Sequence, residues 1–327
     1  MIRIEQRAST VLYKFLVSNC IDYHFYIPAN VCSVVPLTFL ASGVDFSFVD
    51  IDEATHAGSF DEFKTHIIEH KGKKPGVLFV NAYGVHHETK QFYNDLRSIR
   101  DDIIIIEDDC LCIPEIQRVN PVMNVDLEFY STGYSKYVQM PMEGGYGLIR
   151  DGFAYNHIET PFNESGYSEQ LKKIRACRKN RELFRYEENN WLPLESFISD
   201  KYTADDYFKE IERRIVISRS HKQVIDSIYD RMLPNELKMG EAYNAWRYNL
   251  ICPSHAMRET IIDALSTEGL YASPHYQSGA YLFKRVHSIK TENEADRILN
   301  LFNEEKYTVE MAKRTAEIII EIYKQYE

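Results

Sequence analysis

The sequence predicts an α/β protein with a mostly parallel central sheet, followed by a smaller C-terminal α+β domain. From residue 25 onward, short runs rich in β-branched and aromatic residues alternate with amphipathic segments of helical length. The apolar runs are nearly continuous, which is typical of strands that are covered on both faces by helices. After about residue 200, one long helical stretch replaces this alternation.

The predicted elements follow in order along the chain. Three strands are each followed by a helix: FYIPA by 31–42, DFSFVDID by 59–70, and GVLFVNAYG by 88–100. The strands IIIIEDDC, LEFYST and GYGLIR come next, and DYFKEIERRIVISRSHKQVIDSIYDRM then predicts a long helix. A smaller unit runs from AWRYNLICP to the end, so we predict a large domain of residues 1–208 and a small domain of residues 209–327.

Composition excludes several classes of protein. Of the 327 residues, 44% are hydrophobic and 27% are charged, as in folded globular proteins. No apolar run approaches the roughly 18 to 20 residues of a membrane span, and the start MIRIEQRAST lacks the apolar core of a signal peptide. We therefore expect a cytoplasmic protein without a membrane partner.

The net charge argues against a nucleic-acid partner, and the cysteine pattern argues against disulfides and a metal site. A formal net charge of −11 argues against a nucleic-acid partner, and the basic segment KKIRACRKNREL is better explained as the solvated face of a helix. The six cysteines are scattered, which indicates free thiols. Cys110 and Cys112 form a C-x-C pair without a second pair at zinc spacing, so we expect no metal site.

In parallel sheets, ligands bind beyond the carboxyl ends of the strands. Several of the predicted strands are followed by polar residues at this position. Asn30 and Cys32 follow the first strand, Asp108 lies among three acids that end the isoleucine run, and Lys136 follows LEFYST. No G-x-G-x-x-G or G-x-x-x-x-G-K-[ST] motif is present, which weakens a dinucleotide or P-loop interpretation. The alternation of a strand predicts that Glu107 and Asp109 point away from Asp108, toward helix ends or solvent.

Pyridoxal phosphate requires this set of groups. A lysine binds it covalently, an aspartate pairs with its pyridine nitrogen, and hydroxyls and helix N-terminal amides hold its phosphate. Ser9 and Thr10 stand at the start of a predicted helix, and Ser131 is a further hydroxyl. Each group also has an ordinary structural explanation: a lysine is usually a surface residue, and Ser9 and Thr10 are common helix caps.

Motifs in order along the chain resemble the DegT/DnrJ/EryC1/StrS family of sugar aminotransferases, which have the fold type I architecture. IIIIEDD, DLEFYSTGYSK and MEGGYGLI resemble the family's I-E-D strand end, F-S-F-x-x-x-K segment and E-G-G turn. PANVCSVVPLTFLASGVDFSFVDID resembles its P-x-x-T-F and G-A-x-P-V-F-x-D-I-D segments. VNAYGV resembles V-H-L-Y-G, and EGLYASPHY resembles G-I-x-x-x-x-H-Y. The similarity covers the whole chain and is most specific over residues 103–150.

The resemblance implies a pyridoxal phosphate enzyme, and it implies a role for each matching residue. Lys136 would bind the cofactor and transfer the proton, and Asp108 would hold the pyridine nitrogen. His275 would lie near the substrate sugar, with a structural role in the small domain as the alternative. The phosphate would be held by Ala8 and Ser9 with Ser131, and across a homodimer interface by Asn190 or by its neighbour Asn189.

The chain also departs from the family pattern. Leu111 replaces a glutamine that bonds the cofactor's phenolic oxygen, Cys32 replaces an aromatic residue that stacks on the cofactor, and Asn81 replaces a histidine. Only six residues precede Arg7, where the family has a few dozen more, so we expect part of the active-site edge and dimer surface to be missing.

Three functions follow from these observations. The leading one is transfer of an amino group, from a donor such as glutamate, to a keto-sugar carried on a nucleotide. The alternative is a non-catalytic or diverged relative that keeps the fold for binding or assembly. A third, dehydration of the sugar, is disfavoured because a histidine replaces the lysine in that subclass.

Overall fold

The computed structural model describes residues 1–158, 161–195, 197–198 and 203–326. Over these residues, the main sheet contains seven strands in the order β1-β7-β6-β5-β4-β2-β3. Strands β2 to β6 are parallel to one another, whereas β7 is antiparallel to β6 and β1 is antiparallel to β7. The strands are β1 (Ile2–Glu5), β2 (Tyr23–Pro28), β3 (Asp45–Val49), β4 (Lys74–Val80), β5 (Ile104–Asp108), β6 (Leu127–Ser131) and β7 (Gly145–Ile149).

Helices cover both faces of this sheet. Helices α1 and α2 pack on the face that Ile104 and Ile106 of β5 point toward, while α3 and α4 pack on the face of Ile103 and Ile105. The predicted alternation of strands and helices is therefore confirmed, and the isoleucine run is a central strand buried on both sides. The helices of this part are α1 (Ala8–Asn19), α2 (Val34–Ser42), α3 (Phe60–Glu69), α4 (Lys90–Ile99) and α5 (Gly166–Asn180).

Local sequence explains where several helices begin and end. Helix α2 ends at Gly43, whose φ of 71° is the left-handed conformation that glycine adopts without steric cost. The long helix α6 (Ala204–Met232) begins with a capping box, in which Thr203 accepts from the Asp206 amide and the Asp206 carboxylate accepts from the Thr203 amide.

Strand β1 was not predicted. It is a short edge strand, and its last residue, Glu5, forms a buried ion pair with Lys14 of α1, with a distance of 2.9 Å between the Lys14 Nζ and Glu5 Oε1 atoms. Lys14 looks like a surface residue in the sequence, since a buried lysine is rare without a partner. The ion pair fixes the start of the chain against α1.

The C-terminal part is an α+β unit, as predicted. In the described part of the chain, its sheet has three antiparallel strands in the order β8-β10-β9, and helices α6, α7 and α10 pack around it. The elements are β8 (Tyr248–Ile251), α7 (His255–Thr267), β9 (Ala272–Ser273), α8 (Ala280–Lys284), α9 (Ile289–Ala295), β10 (Ile298–Leu301) and α10 (Val309–Tyr326).

Helix α6 links the two parts. Tyr207 and Ile211 near its start pack against strands β6 and β7, while Ile225 and Ile228 pack against the small sheet. The predicted division after residue 208 falls inside this helix, and it stays a prediction.

Polar side chains also hold the two parts together. The Asp50 carboxylate accepts hydrogen bonds from the amides of Lys290 and Thr291, at 3.0 and 2.9 Å. The Tyr83 hydroxyl donates to Glu294 at 2.8 Å.

Among the helices that the structure describes, none is long and apolar enough to cross a membrane.

Candidate active site

Asp108 and Ser131 are the last residues of two neighbouring parallel strands, β5 and β6. Asp108 is 5% exposed, and its Oδ1 atom accepts a hydrogen bond from the Cys110 amide at 2.9 Å. Since Ile104 and Ile106 point toward α1 and α2, the alternation of the strand places Asp108 on that same face.

Lys136 lies in the loop after β6 and is partly buried. Burial raises the pKa of Asp108, while the Cys110 hydrogen bonds and the positive charge of Lys136 oppose that rise. Lys136 is therefore within electrostatic reach of Asp108, at the same end of the sheet.

The C-terminal unit shapes the loop that carries Lys136. The Trp246 indole donates to the Ser135 carbonyl at 2.7 Å, and the Ser135 hydroxyl donates to Glu304 at 2.8 Å. Arg247 is 3% exposed and also donates to the Ser135 hydroxyl. These contacts were not predicted, because they join residues that are more than a hundred positions apart.

The N-terminus of α1 lies beside the end of β6. Gly145 pairs with Ser131, and a Cβ atom at Gly145 would lie 2.3 Å from the Ala8 nitrogen, so only glycine permits this approach. Helix α1 has no side-chain N-cap and no acidic residue in its first turn. The first-turn amides of Ala8 and Ser9 have no intrahelical partner.

The side chains around this N-terminus have separate roles. Thr10 donates to the Pro193 carbonyl at 3.0 Å in a buried position, so its hydroxyl has a structural role, but Ser9 and Thr10 lie inside α1 and do not cap it as expected. The guanidinium of Arg7 lies 4.8 Å from the centre of the Tyr167 ring. Its Nη1 atom is buried and has no hydrogen-bond partner among the described residues.

Cys32 is surrounded by aromatic and cationic groups. Burial raises the pKa values of Tyr167 and Tyr276, and the charge of Cys32 adds to both shifts, so both rings lie near this thiol. The ring of Tyr276 stacks on that of Trp246, with 5.7 Å between the centroids and 14° between the planes. Asp108 also adds to the shift of Tyr276, so this tyrosine is within electrostatic reach of both Cys32 and Asp108.

Helix α5 carries the basic segment that was predicted to be a solvated face. Lys172, Lys173 and Lys179 are exposed, as expected. Arg178 is different, because its Nη1 atom donates to Gln277 at 2.7 Å and its Nη2 atom is buried without a partner in the described part of the chain. Burial lowers the pKa of Arg178, and the charge of Cys32 opposes that shift. Part of this helix therefore lies with Cys32, Asp108, Lys136 and Tyr276 beyond the ends of the strands, a region that we call the cleft.

His275 lies at the edge of the same cleft. Its amide donates to the Asn300 side chain at 2.8 Å, and the Asn300 amide group donates back to the His275 carbonyl at 3.1 Å. Although His275 is exposed to solvent, desolvation of its imidazole lowers the pKa to about 4, and the charges of Arg247 and Lys136 add to the shift. The imidazole is thus neutral at pH 7.

The structure distinguishes Asn189 from Asn190. The Asn189 side chain donates to the Gly166 carbonyl at 3.0 Å and accepts from Gln170 at 3.0 Å, so it is engaged within the subunit. Asn190 is exposed and has a φ of 54°. Its backbone is held by Glu188, whose carboxylate accepts from the Asn190 amide at 2.7 Å. Asn190 is the one of the two that presents its side chain to solvent.

Leu111 is part of an apolar cluster. It is 4% exposed and packs with Tyr83 and Trp246. A Cβ atom at Gly84 would lie 2.6 Å from the Leu111 carbonyl oxygen, which shows how closely the two segments approach. The replacement of a glutamine by leucine is thus accompanied by an apolar environment.

Glu107 and Asp109 lie on the face opposite to Asp108, as predicted, but the expectation of solvent was wrong. They are 5% and 1% exposed, and the Asn81 amide donates to both carboxylates, at 2.7 and 2.5 Å. Burial raises the pKa of Glu107 to about 7, with Glu128 adding to the shift. Asn81, the residue after β4, bonds both carboxylates in a buried position, which strand alternation alone does not predict.

The residues of the cleft fit pyridoxal phosphate. A carboxylate lies within reach of a lysine, as the pyridine nitrogen and the covalent attachment require. The N-terminus of α1 has no side-chain cap and packs closely on Gly145, so its first-turn amides lie beside Ser131 at the end of β6. The orphaned Nη1 atom of Arg7 adds a cation at this end.

Comparison with solved structures identifies the fold, whereas the sequence comparisons found no match. No protein-family model and no curated protein matches the sequence. Among solved structures, a DegT DnrJ EryC1 StrS aminotransferase from Brucella abortus is 16% identical with a TM-score of 0.65, over 98% of this chain and 85% of that one. NtdA from Bacillus subtilis, solved with bound cofactor PMP, is 18% identical with a TM-score of 0.67, over 99% and 73%.

A third similar structure is DesI, solved in the presence of its TDP-sugar product. It is 15% identical with a TM-score of 0.69, over 97% of this chain and 79% of that one. Nearly the whole chain is matched in each of the three comparisons. Despite the low identity, the fold that the sequence resemblance implied is confirmed: the chain has the α/β architecture of fold type I aminotransferases.

Proposed function

We propose that this chain is a pyridoxal phosphate-dependent aminotransferase that acts on a keto-sugar carried on a nucleotide, with an amino acid such as glutamate as the donor. One observation carries the proposal: the buried Asp108 ends β5 and interacts electrostatically with Lys136 in the loop after β6, near an uncapped helix N-terminus. The shared fold with sugar aminotransferases supports it.

Each part of the cofactor has a residue that would hold it. Asp108 would pair with the pyridine nitrogen, and Lys136 would bind the cofactor covalently. The amides of Ala8 and Ser9 would bind the phosphate together with the Ser131 hydroxyl. When bound, pyridoxal phosphate supplies an electron sink for the substrate carbon next to the nitrogen.

The protein's own groups perform the remaining tasks. Once Lys136 is released from the cofactor, its Nζ atom would remove a proton from one carbon of the substrate adduct and return it to another. Asp108 keeps its negative charge opposite a cation in a site that is largely closed to water, where such a pair is strong. His275 remains neutral and can donate or accept a hydrogen bond at the edge of the cleft.

The arginines of the cleft support an anionic substrate. Arg178 presents a buried nitrogen without a partner among the described residues, and such a donor favours a carboxylate or a phosphate. Both a nucleotide-linked sugar and a glutamate donor carry such groups. We expect Arg178→Gln to raise KM by roughly 10-fold to 100-fold with less effect on kcat, since a lost hydrogen bond to a charged group costs about 1.5 to 3 kcal/mol.

The decisive experiment follows the absorbance of the purified protein. Added pyridoxal phosphate should produce the visible band of lysine-bound cofactor, and glutamate should convert it to the pyridoxamine form. Borohydride reduction followed by peptide mass spectrometry should place the cofactor on Lys136. Lys136→Ala should abolish the band, whereas Lys90→Ala, which alters an exposed lysine, should not. A spectrum that is unchanged by cofactor and by Lys136→Ala contradicts the proposal.

We further propose a homodimer in which Asn190 of one subunit reaches the phosphate of the other. Its exposed side chain supports this role, and the engaged side chain of Asn189 does not. Lys136→Ala and Asn190→Ala should each lose activity alone. Mixing the two variants should restore activity, because each mixed dimer contains one native site. No restoration, although mixed dimers form, would count against a shared site.

One observation favours the alternative, a diverged protein that keeps the fold for binding or assembly. Tyr276 lies near both Cys32 and Asp108, in the part of the cleft that the cofactor ring requires. If this tyrosine blocks the ring, Tyr276→Ala should bind pyridoxal phosphate more tightly than the unaltered chain. If the proposed enzyme is correct, the same change weakens binding, because an aromatic wall is lost.

A further inference from the structure

A second group of chemically competent side chains lies on the other face of β5. His86 comes from the segment after β4, and Asp109 and Cys112 come from the turn after β5. One nitrogen, one oxygen and one sulfur atom of these residues all lie within 4.8 Å of one another. The Nδ1 atom of His86 is 3.7 Å from the Oδ1 atom of Asp109.

We propose that His86, Asp109 and Cys112 bind a divalent transition-metal ion of the zinc class, with water in the fourth position. Zinc binds imidazole nitrogen, carboxylate oxygen and thiolate sulfur at about 2.0 to 2.3 Å, which places ligand atoms of a tetrahedral site roughly 3.3 to 3.8 Å apart. The histidine and aspartate atoms already have that separation. Only a small rotation of the side chains would bring the sulfur to the same distance.

The charges around the three ligands support a cation. Glu107 and Asp109 share the Asn81 amide, and Glu107 has a buried Oε2 atom without a partner in the described ranges. Glu128 is 1% exposed and is paired with Arg118, with distances of 2.8 and 2.5 Å. In the described part of the chain, no arginine or lysine forms an ion pair with Glu107 or Asp109, so a divalent ion would supply a positive charge for them.

The geometry also provides an entry path and an outer shell. The His86 side chain is 56% exposed, whereas that of Asp109 is 1% exposed, so an ion would enter from the histidine side and its water would face solvent. The Asn81 amide would orient the ligating carboxylate, as outer hydrogen bonds do in metal sites. On binding, the Cys112 thiol releases its proton to water and forms a bond from sulfur to the metal.

The site is separate from the proposed cofactor cleft, because Asp109 lies on the opposite face of the sheet from Asp108. The sequence did not predict it, because Cys110 and Cys112 form a C-x-C pair without a second pair at zinc spacing. The two cysteines point to different sides: Cys110 lies beside Asp108 and Lys136, and Cys112 lies beside Asp109. The histidine comes from another strand end.

Titration of the metal-free, tag-free full-length chain with Co²⁺ and Zn²⁺ tests this inference without pyridoxal phosphate. One equivalent of Co²⁺ should bind and give the charge-transfer absorbance of a cobalt–thiolate bond, and one equivalent of Zn²⁺ should displace it. Cys112→Ser should abolish the thiolate band. His86→Ala should weaken affinity by at least about tenfold, as expected when a ligand is lost.

Two further variants separate a metal site from other causes. Cys110→Ser removes the neighbouring thiol and should leave the cobalt spectrum unchanged. Glu107→Gln removes a nearby charge but no ligand and should weaken affinity several-fold. His86 is largely exposed, so its replacement does not threaten the fold. Lack of stoichiometric binding, a thiolate band that persists in Cys112→Ser, or an unchanged cobalt affinity in His86→Ala would overturn the inference.

Discussion

The two faces of the tip of β5 carry acids with opposite surroundings. On one face, Asp108 stands alone and is within reach of the cation Lys136. On the other, Glu107 and Asp109 are bridged by one neutral amide, that of Asn81. Three consecutive residues of one strand end thus belong to two different electrostatic sites.

The comparison of the two faces shows that equally buried acids can differ in the charges that surround them. All three acids are at least nine-tenths buried, so burial raises the pKa of each. On the Asp108 face a lysine opposes that shift, whereas on the Glu107 face other carboxylates increase it. The first arrangement is suited to holding a cationic ring, and the second is suited to holding a metal cation.

The largest expected effect comes from replacing the Asp108 carboxylate by an amide, with the same replacement at Glu107 as the control. Asp108→Asn should lower kcat by about 10²–10³-fold, because a neutral amide does not stabilise a protonated pyridine nitrogen. Glu107→Gln lies one residue away in the same strand and points to the other face. It should leave the absorbance of bound cofactor unchanged, as measured by spectral titration with pyridoxal phosphate.

The comparison fails if the two variants behave alike. Equal loss of cofactor affinity would mean that the faces are not independent. Circular dichroism of both variants shows whether the fold is retained.

On the Asp108 face, the close packing of α1 against β7 depends on a glycine. Gly145→Ala places a Cβ atom 2.3 Å from the Ala8 nitrogen and 2.5 Å from its Cα atom, so α1 must move away from β7. We expect a loss of about 1 to 3 kcal/mol in the free energy of unfolding, together with weaker phosphate binding. Urea denaturation measures the first effect and cofactor titration the second.

Gly133→Ala is the matched control for this prediction. It lies in the adjacent loop, where among the described residues a Cβ atom would meet only the Ser131 Oγ atom, at 3.6 Å. Its effect on the free energy of unfolding should stay within about 0.5 kcal/mol. A similar loss in both variants would show that the close approach of α1 is not the cause.

On the opposite face, Asn81 is the residue to remove. Asn81→Ala leaves two buried carboxylates without their shared donor, which should cost about 1 to 3 kcal/mol of the free energy of unfolding. Zn²⁺ should recover part of that loss if the ion binds there, because a ligand that binds only the folded state stabilises it. Asn120→Ala, at an exposed position, should change stability by less than about 0.5 kcal/mol.

Much of the fold and part of the site follow from local rules. The alternation of strands and helices predicted the sheet, and the rule that ligands bind at carboxyl ends of parallel strands led to Asp108, Ser131 and Lys136. Period-two alternation also predicted that Glu107 points away from Asp108. These are properties of short segments and of their order.

The remaining features depend on contacts between distant segments. Arg178 lies in a segment whose charge pattern indicates a solvated face, but its contact with Gln277 places it in the cleft. The approach of Tyr276 to Cys32 and that of His86 to Asp109 depend on how loops pack after the sheet has formed. No periodicity in the sequence encodes the position of one loop relative to another.

The smallest expected effect concerns His275, on the face of Asp108. Desolvation lowers its pKa to about 4, with Arg247 and Lys136 adding to the shift, so the folded protein binds a proton at lower pH than the unfolded chain does. As pH falls from about 6.5 to 4, His275 therefore contributes a loss of stability that solvent access keeps small. The imidazole resonance of His275, assigned in NMR spectra with His275→Gln, should not titrate between pH 5 and 8. A midpoint near 6.5 would show that the cations of this cleft do not act on the histidine, and it would remove one of the differences between the two faces.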